Sequence, residues 1–229
     1  ADRFIVDGTL SDFKQVPHQH YTDTSQQPDS GINLQQVYMT HDEDYFYLGF
    51  TSERKLNLTG GKPRQGQVYI YLDIDRKRKT GYLTGGLGGD FSIDFTRKIV
   101  RWNREPETTI QLDQAGVRVM PTLSAKTYEV AIARTIAMEA DTVRLDGTID
   151  FQLSDERTQE TLPAYDSTFT YTFGKPRVEQ PAPLPLSKAP EADLRVVSHN
   201  TLDNGLTNEK RAPVLSRLYQ TLNPDVLAL

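Results

Sequence analysis

The chain has 229 residues, of which 37% are hydrophobic and 25% are charged, with a formal net charge of −5 at pH 7 and no cysteine. This length suits one large or two small domains, and the lack of cysteine excludes disulfides and thiolate metal sites. The negative charge argues against a dedicated nucleic-acid-binding domain, which is usually basic, and no apolar run approaches the roughly 18 residues of a membrane-spanning helix.

Residues 1–174 are rich in short β-strand patterns separated by turn residues. The predicted strands are 36–40, 45–51, 68–74, 91–95, 99–102, 116–120, 127–133, 148–153 and 167–173. A short helix is predicted at 136–140, and the acidic stretch 41–44 predicts a hairpin turn, because such side chains bond the local backbone. The many short strands indicate a mainly β fold, an antiparallel β-sandwich of jelly-roll-like type.

Alternation within these strands predicts which side chains share a face. Phe46, Leu48 and Phe50 fall on one face of their strand. In the strand at 68–74, the aliphatic positions Val68, Ile70 and Leu72 oppose the tyrosines Tyr69 and Tyr71.

The remainder of the chain has a different pattern. Residues 175–191 are proline-rich, which predicts an extended, semi-rigid linker. In residues 192–229, an apolar strand at 194–198 precedes a helical pattern with Pro213 near its start, and a second apolar strand follows Asn223-Pro224. This order predicts a truncated strand–helix–strand unit of an α/β fold.

The first part of the chain resembles carbohydrate-binding module family nine and the related DOMON-like sandwiches. The similar segments are Ile5–Phe13, Val37–Leu48, Val68–Asp75, Thr80–Tyr82, Gly89–Phe91 and Tyr128–Ala133. The resemblance implies a non-catalytic sandwich that binds a polysaccharide or glycan, in some members with structural calcium.

Aromatic residues are the candidate ligand-binding groups of this sandwich, because sugar rings stack on aromatic faces while their hydroxyls bond polar neighbours. The candidates are Trp102, the single tryptophan, together with Tyr69, Tyr71 and Tyr82. Family members with sugar sites usually use two tryptophans, so this chain departs from the pattern. The alternative interpretation places Trp102 in the core and the tyrosines on a half-solvated sheet face.

Asp73, Asp75 and Asp90 are the candidate metal ligands, because calcium prefers several oxygen ligands and two aspartates at i, i+2 point the same way. The alternative is a polar turn in which the cations of 76–79 pair with the aspartates. The glycine-rich stretch 85–89 lacks the Lys-Ser/Thr of a phosphate-binding loop and is predicted to be a flexible loop.

Residues 192–229 resemble the start of the endonuclease/exonuclease/phosphatase family, through Leu194–Thr201 and Asn223–Leu229. In that family the residue matching Asn200 lies beside a catalytic magnesium or manganese ion, which polarises the phosphoryl oxygen. The metal-binding Glu that follows the second strand in the family is not part of this sequence. His199 is predicted to be structural.

Together these patterns suggest an accessory, carbohydrate-binding module of an exported metal-dependent hydrolase that acts on a phosphate ester or nucleic acid. The chain as given is expected to be inactive. Because it begins with Ala1, a removed signal peptide and a periplasmic or secreted bacterial location are expected, although a start within a longer protein explains Ala1 equally. The competing hypothesis is a structural or adhesive sandwich that binds no sugar.

Overall fold

The computed structural model describes residues 4–23, 31–58, 67–138, 141–175, 188–201, 207, 209 and 211–228. Contacts divide the chain into two compact units, Ala1–Pro181 and Ala182–Leu229. Most of the predicted linker, 176–187, lies outside the described residues. No helix among the described residues has the length and apolar character that crossing a membrane requires.

The first unit contains a short 3-10 helix, Asp12–Lys14, and many β-strands. In chain order the strands are β1 (Gln19–Thr22), β2 (Leu34–His41), β3 (Tyr45–Leu56), β4 (Val68–Asp73), β5 (Tyr82–Thr84), β6 (Leu87–Gly89), β7 (Phe91–Asp94), β8 (Ile99–Trp102), β9 (Thr108–Gln111), β10 (Val117–Met120), β11 (Ala125–Ala133), β12 (Thr135–Ala137), β13 (Thr142–Arg144), β14 (Thr148–Asp155), β15 (Glu160–Leu162) and β16 (Phe169–Thr172).

Two antiparallel sheets dominate the described part of this unit. The first has the strand order β1-β2-β3-β11-β10, and the second has the order β15-β14-β4-β7-β8-β9, with β16 also paired to β14. Two small hairpins, β5–β6 and β12–β13, lie outside these sheets. The mainly β, antiparallel fold predicted from the sequence is confirmed.

The main hydrophobic core lies between the two sheets and takes one face of each. Phe46 of β3 packs edge-to-face on Phe151 of β14, with 5.7 Å between ring centroids. Leu48 and Phe50 share the core with Ile70 and Leu72 of β4, as the alternation predicts. The inward face of β4 is therefore aliphatic, and its tyrosines face away from the core.

The outer face of the first sheet is covered by the start of the chain. Phe4 stacks on Tyr47 with centroids 4.2 Å apart, and Phe13 of the 3-10 helix is fully buried against the same sheet. A side chain at Gly49 would clash, because a Cβ there lies 2.8 Å from a Phe13 ring carbon. β3 is thus buried on both faces.

Two local predictions in this unit are wrong. The helix predicted at 136–140 is not formed in its described part, because Thr135–Ala137 is strand β12, in which Ile136 is buried in the main core and pairs with Val143. Residues 139 and 140 lie outside the described residues. The glycine-rich stretch 85–89 is not a loop throughout: Gly85 takes the left-handed conformation, at φ +49°, and Leu87–Gly89 forms β6. By contrast, Asp42 accepts bonds from the Asp44 and Tyr45 amides, as predicted for that hairpin turn.

The second unit consists of β17 (Val196–Ser198), α1 (Ala212–Leu222) and β18 (Val226–Ala228). β17 and β18 pair in parallel, and Leu215 is the buried residue of α1. Asn223 ends the helix in the left-handed conformation, at φ +43°. The predicted strand–helix–strand order is confirmed.

Candidate ligand-binding site

Three tyrosines stack on the outer face of the second sheet. Tyr69 and Tyr71 leave β4 on the same side, and their rings lie 5.6 Å apart at an interplanar angle of 7°. Tyr82 of β5 extends the stack, 5.6 Å from Tyr71 at 14°. We call these three residues the tyrosine array. The strand pattern predicts that Tyr69 and Tyr71 point away from the core, because the alternating residues Ile70 and Leu72 are buried in it.

The hairpin β5–β6 brings Tyr82 into the array. Tyr82 pairs with Gly89 across the hairpin, and a Cβ at Gly89 would lie 3.3 Å from the Tyr71 side chain. Glycine at this position therefore lets the hairpin lie close to Tyr71. Tyr82 remains 50% exposed, so one end of the array is open to solvent.

Carboxylates hold the two inner phenols. The Tyr69 hydroxyl donates to Asp94 Oδ2 at 2.6 Å, and the Tyr71 hydroxyl donates to Glu156 Oε1 at 2.6 Å. Burial, followed by these carboxylates, raises the pKa of both phenols far above the ordinary value. Both hydroxyls therefore stay protonated at any physiological pH, and the rings are fixed before a ligand arrives.

The array forms one wall of an open pocket of about 220 Å³. Its lining residues are Gln67, Tyr69, Tyr71, Tyr82, Ser92, Asp94, Arg97, Ile99, Arg101 and Glu156. Two carboxylates and two guanidinium groups therefore line the pocket, so their formal charges cancel. Arg97 Nε lies 3.8 Å from Asp94 Oδ2.

Trp102 lies on the opposite face of the same sheet. It pairs with Phe91, with ring centroids 4.7 Å apart, and packs against the main core. Its neighbour Arg101 points outward and lines the pocket. The structure thus brings Tyr69, Tyr71 and Tyr82 together and separates Trp102 from them by the thickness of the sheet.

Asp73, Asp75 and Asp90 converge at the end of β4, with one ligand atom of each within 4.8 Å of the others. We call them the aspartate cluster. Burial, followed by the charge of Asp90, raises the pKa of Asp73 to about 6. Burial would also raise the pKa of Asp75, but bonds from Thr80 and the Lys77 amide and the charge of Arg104 lower it overall.

A guanidinium group already occupies part of this cluster. Arg104 Nε donates to Asp90 Oδ1, and Arg104 Nη2 lies 2.8 Å from Asp75 Oδ2. The other Asp90 oxygen accepts the Ile74 amide at 2.8 Å. Lys77 Nζ is farther away, 3.9 Å from Asp75.

Calcium needs six to eight oxygen ligands with free lone pairs. In this arrangement the carboxylates do not fit a calcium ion, because the Arg104 guanidinium group already lies against Asp75 and Asp90. The Asp73 oxygens accept the Lys77 and Gly88 amides at 3.2 and 3.4 Å, respectively. The predicted turn cations contribute less than expected, since Arg76 pairs with Asp150 instead.

Asn200 belongs to the second unit, two residues after β17, and is exposed. The neighbouring His199 has a structural contact, because its Nδ1 lies 2.7 Å from the Tyr219 hydroxyl of α1. Within the described ranges, the aspartate cluster is the one grouping of three or more potential metal-ligating residues, so none lies beside Asn200.

Sequence reasoning missed the polar half of the pocket. Asp94 could have been assigned to the outward face, because it alternates with Ile93 on β7. Glu156 could not, because it lies in the turn after β14 and reaches Tyr71 only through the pairing of β14 with β4.

No protein-family model matches the chain, and no curated protein matches it. Two similar solved structures are family 9 carbohydrate-binding modules (CBM9) from Caldicellulosiruptor kristjanssonii. The one in complex with cellotriose is 13% identical and covers 74% of this chain and 78% of its own, with a TM-score of 0.35. The one in complex with glucose is 14% identical and covers 79% and 96%, with a TM-score of 0.41. These values are too low to assign a family or a ligand.

Proposed function

We propose that the first unit is a carbohydrate-binding module that holds a sugar in the pocket beside the tyrosine array. The observation that carries this proposal is the stack of three near-parallel tyrosines, which ends in the half-exposed ring of Tyr82. An aromatic face in a concave pocket suits the C–H surface of a pyranose.

The polar lining supplies both kinds of hydrogen-bonding group that sugar hydroxyls need. Asp94 and Glu156 are acceptors, whereas Gln67 and Arg101 are donors. Because the formal charges of the lining cancel, an uncharged sugar is favoured. A volume of about 220 Å³ is small for a ligand pocket and suits one sugar unit rather than a long chain segment.

Calorimetric titration with glucose and cellotriose tests this proposal. We expect saturable binding, weakened about tenfold in Tyr82→Ala through the loss of roughly 1.4 kcal/mol of stacking. Tyr165→Ala is the matched control, because Tyr165 is 58% exposed and does not line the pocket. Equal weakening in both variants would contradict the assignment of the pocket.

The second candidate function is a structural or adhesive spacer without sugar binding. It is favoured by one observation: the inner tyrosine hydroxyls already have carboxylate acceptors within the protein. The array is therefore satisfied without a ligand. Flat titrations of the wild-type chain across a wider glycan panel would favour this function.

For the second unit we propose the start of a metal-dependent phosphoesterase. The parallel β17–α1–β18 arrangement, with Asn200 just after β17, supports the proposal. The test is magnesium-dependent hydrolysis of a phosphodiester by the protein encoded by the complete gene. Asn200→Ala should lower kcat, whereas Gln220→Ala, an exposed change on α1, should not. Turnover equal in the two variants would contradict the role of Asn200.

A further inference from the structure

The aspartate cluster joins segments that are distant along the chain. Asp73 ends β4, Asp75 is the second residue of the following loop, and Asp90 lies between β6 and β7. Each bonds a neighbouring segment: Asp73 accepts the Gly88 amide, Asp75 accepts the Thr80 hydroxyl at 3.0 Å, and Asp90 accepts the Ile74 amide. Both ends of the segment that carries the β5–β6 hairpin are therefore fixed at this point.

Three carboxylates this close repel one another unless a cation lies among them. Two of them are buried, Asp73 at 3% and Asp90 at 0% exposure, so solvent screens their repulsion poorly. Arg104 supplies the cation, since its fork contacts both Asp90 and Asp75. Its guanidinium carbon lies 5.1 Å from the Trp102 ring centroid, so the ring also holds the cation in place.

We propose that Arg104 is a positioning residue that takes the place of a metal ion in the aspartate cluster. It ties the ends of residues 73–90 together and makes the sandwich independent of calcium. The Arg104 guanidinium group joins two carboxylates, because its Nε–H donates to Asp90 while Nη2 makes an ion pair with Asp75; a divalent ion would join them by coordination. Removal of Arg104 leaves three carboxylates with the chemistry of a calcium site.

Thermal unfolding of the full chain, in EDTA and in millimolar Ca²⁺, tests the proposal. The wild-type Tm should be the same in both buffers. Arg104→Met should lower Tm in EDTA by about 5 °C or more, because buried carboxylates lose their partner. Millimolar Ca²⁺ should then restore at least part of that loss. Arg157→Met, which removes an exposed arginine elsewhere, should change neither value.

Two results would overturn the proposal. A wild-type Tm that rises with Ca²⁺ would mean that the cluster binds the metal despite Arg104. A destabilised Arg104→Met variant that does not respond to Ca²⁺ would mean that Arg104 is an ordinary ion-pair partner. If Arg104→Met does not fold, Arg104→Lys replaces it: a single ammonium cannot reproduce the fork, so a smaller loss with partial Ca²⁺ rescue is expected.

A second readout rests on the proposed function. Glucose binding by Arg104→Met should weaken in EDTA and recover with Ca²⁺, because the cluster positions the hairpin that carries Tyr82. If the wild-type chain binds no sugar, the proposed function fails. The Tm comparison still decides the role of Arg104, because it needs no ligand.

Discussion

Glu129 is a buried carboxyl whose ionisation should make the stability of the sandwich depend on pH. It lies on β11 at 1% exposure, and its Oε2 accepts the Asp7 and Gly8 amides at 2.9 and 3.0 Å. Its Oε1 is buried without a hydrogen-bond partner among the described residues. Burial, with smaller contributions from the charges of Asp7 and Asp12, raises its pKa to about 7.

The direction in which stability changes with pH follows from the raised pKa of Glu129. The folded chain holds the Glu129 proton more tightly than the unfolded chain, so this contribution to stability is fully present below about pH 4.5 and is lost as the pH rises through about 7. With about 1.36 kcal/mol per pKa unit, the loss between about pH 5 and pH 8 is on the order of 2–3 kcal/mol. Glu129→Gln keeps a neutral group that accepts the same two amides and should lack this loss.

Urea unfolding at the two pH values measures the effect. The free energy of unfolding of the wild type should fall relative to that of Glu129→Gln as the pH rises. Glu107→Gln is the control, because it neutralises an exposed glutamate. If wild type and Glu129→Gln changed in parallel across this range, the reasoning from burial would be refuted.

Two further predictions concern local geometry. Gly81→Ala should destabilise the chain more than Gly147→Ala, although both glycines have positive φ. A Cβ at position 81 would lie 2.4 Å from the Gly89 carbonyl oxygen, whereas a Cβ at position 147 would have none of the described atoms within 4 Å. Denaturant midpoints of the two variants check this, and equal losses would contradict it. Tyr128→Phe should cost about 1–2 kcal/mol, since the one proton of the buried hydroxyl is shared between the Leu56 and Leu123 carbonyl oxygens and the hydroxyl oxygen accepts the Ala125 amide. A loss near zero in urea unfolding would show that these bonds contribute nothing.

Strand faces were predictable from the sequence because they depend on a local period. The outward direction of Tyr69 and Tyr71 follows from the two aliphatic positions beside them, whatever the rest of the fold does. The same period places Trp102 and Arg101 on opposite faces of β8. It cannot tell which of those faces meets the core, because that depends on the pairing with β7.

The partners of the site were harder to predict because they come from distant parts of the chain. Glu156 follows β14, which pairs with β4 although about 80 residues separate the two strands along the sequence. Arg104, which follows β8, contacts Asp75 in the loop after β4. The glycines at 85–89 also misled the prediction. Glycine is typical of mobile loops, but here it permits a tight hairpin that lies on Tyr71.

The two faces of the second sheet explain why Trp102→Ala cannot test sugar binding by itself. Trp102 lies under Arg104, and Arg104 bonds the cluster that fixes the ends of residues 73–90. Loss of the indole would therefore disturb Tyr82 indirectly, and weaker binding would follow even though Trp102 does not line the pocket. Tyr82→Ala removes the exposed ring and leaves the inner phenols bonded to their carboxylates. A loss of affinity in that variant, at an unchanged Tm, would assign the contact to the tyrosine array itself.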